Sequence, residues 1–230
     1  MDRSVKLQRK EKEYRFRRAE ILEQAEKIFA AKGFHETTMA RIAAASGFST
    51  GSLYQFFRSK EELYSVMVTE RVRRMYEGIE QDAGREPSTE GRIRALVIAH
   101  FGYVENHIDF YRLMVGHESG LRSEGLKNLR EQILEEHVRH VDFIEDVLRE
   151  GIGRRVLRDL ETRPLAHALM GIVAYFKFAW IMNPEGASLS DRVDDVLELF
   201  FRGAAPPRGL EAARPGARTG TERTLHQEAE

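Results

Sequence analysis

The chain has 230 residues, with 42% hydrophobic and 32% charged side chains, a formal net charge of −1 and no cysteine. That length allows one large or two modest domains around a real core. The missing cysteines exclude disulfides and thiolate metal sites, and suit a reducing compartment. Charge is unevenly spread: residues 1–60 hold 13 Lys/Arg against 7 Asp/Glu, whereas the remaining 170 hold 23 against 30. A basic N-terminal part on an acidic remainder suits a protein that meets phosphate at one end.

In chain order, residues 1–13 are polar and carry Arg3, Lys6, Arg9, Lys10 and Lys12. They read either as a mobile basic arm or as an extension of the first helix, able to reach phosphates or a minor groove. The N-terminus lacks the apolar stretch of a secretory signal. A helix follows over about 14–32, because Ile21, Leu22, Ala25, Ile28 and Phe29 form one apolar stripe. Gly33 ends it.

Residues 36–63 organise the chain. Thr38 can cap a short helix over about 39–45, with Met39, Ile42 and Ala43 on one face. Gly47 permits the turn, and Ser49 can cap a second short helix over about 50–57. Leu53, Phe56 and Phe57 point that helix inward, leaving Thr50, Gly51, Ser52, Tyr54 and Gln55 on the other face. Ser59-Lys60-Glu61-Glu62 is a capping-box pattern opening the next helix. Two short helices joined by a glycine turn make a helix-turn-helix, whose second helix fits the DNA major groove. Hydroxyls, the Tyr54 phenol and the Lys60 ammonium can bind phosphate, and Gln55 can pair with a base edge.

The run I-A-x-x-S-G-F-S-x-G-S-L-Y-x-F-F-x-S-K-E-E-L within residues 42–63 closely resembles the DNA-binding signature of the TetR/AcrR repressor family, over about residues 15–68. By position, the resemblance implies phosphate contacts at Thr38, Ser49, Tyr54 and Lys60, and base-facing Thr50, Gly51, Ser52 and Gln55. Phe56 stands where the family often has His or Tyr, and is assigned to packing. The domains expected are a basic arm (1–13), the DNA-binding domain (14–68, helix-turn-helix 38–57), a helical effector-binding and dimerisation domain (69–203) and a disordered tail (204–230).

From about Pro87 to Gly203 no strand alternation of useful length occurs, and the fold class expected is all-α. Helices are predicted over about 60–82, 89–105, 108–115, 124–150, 164–182 and 190–202, with a break at 84–88. The helix over 164–182 is apolar nearly all round, and such a helix in a soluble protein must be covered on all sides. Only this segment approaches membrane-spanning length, and His167 and Lys177 interrupt it. A second copy of the chain is the expected cover, giving a two-fold four-helix bundle. Ile172, Tyr175, Phe176, Val193, Val196, Leu197 and Phe200 are the expected interface, which agrees with the TetR-like pattern.

TetR-like proteins usually bind an inducer in the C-terminal domain. The residues expected to line an apolar cavity are Phe101, Phe110, Tyr111, Met114, Phe143, Met170, Ala174 and Phe178, favouring an apolar or aromatic effector. His137 and His140, spaced i, i+3 beside Glu136, lack an identifiable third metal ligand and read as solvated helix-face residues. No catalytic motif is present, so no enzyme activity, cofactor or metal is expected. The reading is a cytoplasmic, homodimeric transcription regulator whose partners are double-stranded operator DNA and a small effector. The alternative is a ligand-binding or scaffolding dimer whose head no longer reads DNA.

Overall fold

A computed structural model describes residues 3–116, 126–184, 186 and 188–202, and within these the chain is all-α with no strand. In order, the helices are α1 (Arg3–Glu36), α2 (Met39–Ala45), α3 (Thr50–Leu53), α4 (Lys60–Gly84), α5 (Thr89–Asn106), α6 (Ile108–Gly116), α7 (Lys127–Gly153), α8 (Thr162–Met182) and α9 (Val193–Arg202). A 3-10 turn, Leu189–Arg192, leads into α9. The expected tail and the expected start of a helix at 124 lie outside the described residues.

Residues 3–13 continue α1 as helix. The α1 stripe is buried at Ile21, Leu22, Ala25 and Phe29, and α1 packs against α2, α4 and α6, while α3 packs on α2. Phe29 meets the Tyr64 ring edge-on at 4.9 Å, and Phe34 meets it at 5.1 Å. Gly33 (φ 74°) and Gly47 (φ 73°) take backbone conformations that glycine adopts without penalty, so the turns after α1 and α2 each use a glycine.

The second short helix is shorter than the expected 50–57. It ends at Leu53, and the chain continues in tight turns in which Phe56 and Phe57 N–H groups donate to Leu53 O at 3.0 and 3.1 Å. Tertiary packing wins over a helix this short, which has little stability of its own. Phe57 enters the core, and Phe56 stacks on Tyr14 of α1 at 4.9 Å.

In the C-terminal part, α5 and α7 pack on α4, and α8 packs on α7. By length and composition α8 is the one helix among the described residues able to cross a membrane, but its Ala166, Leu169, Met170, Val173 and Ile181 face is buried inside the domain. The opposite face is an uncovered stripe of Ala168, Gly171, Ala174, Tyr175, Phe178 and Met182, with Tyr175 70% exposed. The expected interface therefore needs correction. Val193, Val196 and Leu197 are buried within their own subunit, because α9 turns its apolar side onto α5 and α8. Ile172, Phe176 and Phe200 are partly buried, and of the seven only Tyr175 is fully exposed.

Candidate nucleic-acid interface and effector domain

Three side-chain caps set the head. The Thr38 hydroxyl accepts from Arg41 N (3.3 Å), Ser49 Oγ from Ser52 N (3.1 Å), and Ser59 Oγ from Glu62 N (3.1 Å). Each satisfies an N–H that a helix start leaves without a partner. With Leu53 fully buried beneath it, α3 exposes Thr50 and Gly51, followed by Tyr54 and Gln55; Tyr54 is 51% exposed. Thr38 and Ser49 are exposed beside them, while Ser52 is partly buried and shares a 2.9 Å hydrogen bond with Ser49 Oγ. Seven of the eight expected DNA-facing residues thus share one accessible edge.

Lys60 is the exception. Its ammonium donates to Phe34 O (2.8 Å), Thr37 O (2.9 Å) and His35 O (3.4 Å), and lies 4.4 Å from the Phe34 ring centroid. These carbonyls lie at and just beyond the end of α1, so the lysine closes that end from the first turn of α4, and its expected role as a phosphate contact is corrected on that ground. Arg41, exposed on α2 with one guanidinium bond to Glu36 O, is a cation on the same side that motif-matching passed over. Its position three residues after the cap, on the polar side of α2, was the available signal.

The residues expected to line a cavity divide. Phe101, Phe110 and Met170 are buried, Tyr111 and Phe143 are partly buried, and the Met114 side chain lies outside those described. Ala174 and Phe178 are corrected: both sit on the uncovered face of α8, away from the domain interior. The sequence could not separate these faces, since α8 is apolar on both.

A polar ladder that sequence reading missed ties α4 to α7. Ser65 and Thr69 hydroxyls donate to Gln132 Oε1 at 3.2 and 3.0 Å, and Arg73 Nε donates to Glu136 at 2.9 Å. Tyr76 OH lies 3.3 Å from His137 Nδ1, and His140 Nδ1 lies 2.8 Å from Glu80 Oε1. His140 is not a solvated helix-face residue as expected: it is fully buried, and its Nε2 lies 3.0 Å from Nε2 of buried His100. Burial holds His100 well below the ordinary imidazole range and lowers His140, in each case with a contribution from Lys177. Both rings are therefore neutral. The Glu80 carboxylate fixes the proton on His140 Nδ1, leaving His140 Nε2 to accept from His100 Nε2–H. Among the described residues no group of three His, Asp or Glu could hold a metal ion.

Residues 21–67 match the family described as bacterial regulatory proteins, tetR family. The fatty acid metabolism regulator protein of Bacillus subtilis is 23% identical over 185 residues, covering 80% of this chain and 93% of that protein. The HTH-type transcriptional activator FasR of Mycolicibacterium smegmatis is 35% identical over 98 residues, covering 43% of this chain and 45% of that protein. The crystal structure of the transcriptional regulator FadR from Bacillus subtilis in complex with stearoyl-CoA superposes with a TM-score of 0.70 at 23% identity, over 81% of this chain and 99% of that one.

Proposed function

Because this chain belongs to the tetR family of bacterial regulatory proteins, we propose that it is a homodimeric, cytoplasmic repressor that binds a palindromic operator and is released by a small effector. At the coarser level it is a transcriptional regulator and not an enzyme, in line with its named relatives. The observation that carries the DNA reading is the edge made by Thr38, Ser49, Thr50, Gly51, Tyr54 and Gln55, exposed together over a buried Leu53. Small residues let that edge approach base pairs closely. Hydroxyls and the Tyr54 phenol hold the backbone, and the Gln55 amide reads a base edge. The basic α1 extension, with Lys6 and Lys10 exposed, adds charge on flanking phosphates.

Two copies joined along the uncovered α8 stripe, with Leu199 and Phe200 of α9 alongside, would hold two such edges roughly one DNA turn, about 34–36 Å, apart. The effector enters the domain built by α5 to α8. The neighbour solved with stearoyl-CoA favours an acyl chain as its apolar part. Binding there would displace α7, and the ladder from Gln132 to His140 would pass the shift to α4 and the head. The effector controls DNA binding only to the extent that its affinity differs between the two shapes.

Selection from a random duplex pool tests this reading. The expected product is a palindrome whose half-sites lie one turn apart, with Gln55→Ala binding comparably but with relaxed preference at one base position, a discrimination loss of about 1–3 kcal/mol. A reporter behind that palindrome should be silenced by the protein. Failure to enrich any sequence would sink the operator reading, and a reporter switched on would overturn repression.

A further inference from the structure

We propose that the effector is an amphiphile whose negatively charged oxygen rests against the Lys177 ammonium, inside the helical domain. This rests on the effector reading above and names the chemistry of its polar end. Lys177 is partly buried on α8, and its Nζ lies 5.8 Å from the Tyr111 ring centroid. Among the described residues no carboxylate lies within ion-pair distance of it and no group accepts a hydrogen bond from it. The two acids beside Tyr76 are already engaged: Glu80 holds His140, and Glu136 holds Arg73 and Arg139.

A charge taken out of water is normally paired, since leaving it alone is costly. The described surroundings of Lys177 do not supply a partner. His100, His137 and His140, on which its charge acts, are held neutral chiefly by burial. The tautomer chain from Glu80 leaves His100 Nδ1 as a buried acceptor without a partner among the described residues, and a neutral acceptor brings no countercharge. Tyr76 and Tyr111 are held protonated by burial, Tyr76 with its pKa pushed up to about 12. Burial lowers the Lys177 ammonium to about 8. Lys177 leaves α8 on the side that also carries buried Met170, Val173 and Ile181, one helical turn or two away. A cation without a countercharge among the described residues, on the apolar inner face of α8, complements an anion on an apolar chain.

The test uses the full chain and two probes of equal length, hexadecanoate and hexadecanol, below their aggregation limits at pH 7. Trp180, the sole tryptophan, sits three residues from Lys177 and reports binding by fluorescence. Wild type should bind the carboxylate at least about tenfold more tightly than the alcohol. Lys177→Met should lose that preference while still binding the alcohol, and Lys177→Arg should keep it. Lys177→Met should also melt no lower than wild type without ligand, because an unpaired buried charge is removed. Equal binding of both probes by wild type, or a preference that survives Lys177→Met, would overturn the anionic end and leave an apolar effector standing. Binding of neither probe would overturn both. A lower melting temperature for Lys177→Met with the preference intact would show that the ammonium already has its partner in the protein.

Discussion

Replacing Lys60 with Met separates two jobs that the same ammonium could do. If Lys60 held a DNA phosphate, its removal would cut the slope of log K against log salt by about 0.9, the value for one released counterion on duplex DNA. The structure spends its N–H groups on Phe34 O, Thr37 O and His35 O instead. Hydrogen bonds from a charged donor contribute about 1.5–3 kcal/mol, and the partial exposure of Lys60 places it in the lower half of that range. For a chain of this size each kcal/mol moves Tm by about 2–4 °C, so Lys60→Met should melt roughly 3–8 °C lower. The methionine keeps most of the apolar stem over the Phe34 ring, which confines the loss to the polar bonds. Thermal unfolding by circular dichroism gives the first number. Fluorescence anisotropy on any duplex from 50 to 200 mM salt, run cold enough to keep the head folded, gives the second. A slope lowered by about 0.9 with Tm unchanged would refute the structural role and restore the phosphate contact.

Four further outcomes are expected. Tyr175→Asp with Phe178→Asp places two charges on the uncovered α8 stripe and should give a monomer by sedimentation where wild type is a dimer; a monomeric wild type would dispose of that interface. Glu80→Ala leaves the buried His140 Nδ1–H without its acceptor and should cost about 1–2 kcal/mol, whereas Glu80→Gln should recover most of it; equal loss in both would show that the charge, not the bond, matters. Because folding lowers the pKa of His100 and His140, the unfolded chain binds more protons just below pH 6.5, so wild-type stability should fall between pH 7 and 5.5, as urea midpoints would show. Glu105 accepts from both Ser188 and Ser190 hydroxyls and from the Leu189 and Ser190 N–H groups; burial pushes its pKa up, but these four bonds outweigh it and hold the carboxyl below its usual value. Its contribution is therefore present above the unfolded carboxylate pKa and lost as pH falls through the folded one, so Glu105→Ala should cost about 1 kcal/mol at pH 7 and progressively less as the pH is lowered below the unfolded value.

The sequence was most legible where one residue type has one structural use. Thr38, Ser49 and Ser59 cap the helices they precede, and Gly33 and Gly47 take positive φ. It was least legible where a helix has two apolar sides. Nothing in the order of residues says whether Val196 or Tyr175 faces a second copy, since that depends on how α9 lies across α5 and α8. Lys60 illustrates a different limit. Its charge and its place beside the recognition edge suggested phosphate, but the carbonyls that claim it lie 23–26 residues away, joined only by the fold. The ladder between α4 and α7 was hidden for the same reason, every rung spanning about 60 residues.

How an effector signal could travel follows from where α4 is tied. Its first turn closes α1 through Lys60, and its middle is paired to α1 by Arg18–Glu70 at 2.5 Å and Arg71–Glu26 at 3.5 Å. The same stretch, from Ser65 to Glu80, carries the ladder to α7. The two sets of ties overlap along the helix, so no free length of α4 separates them in which a displacement could be absorbed. A shift of α7 by a ligand beside Lys177 would therefore carry α1 and the capped α2–α3 edge together as a unit, changing the spacing of two heads rather than the shape of either. Coupling of this kind is typically about 1–3 kcal/mol, enough for a 5- to 150-fold change in operator affinity. It requires the rungs to hold: Gln132→Ala, which unties Ser65 and Thr69, should reduce the effector's influence on DNA affinity while leaving both separate affinities near wild type.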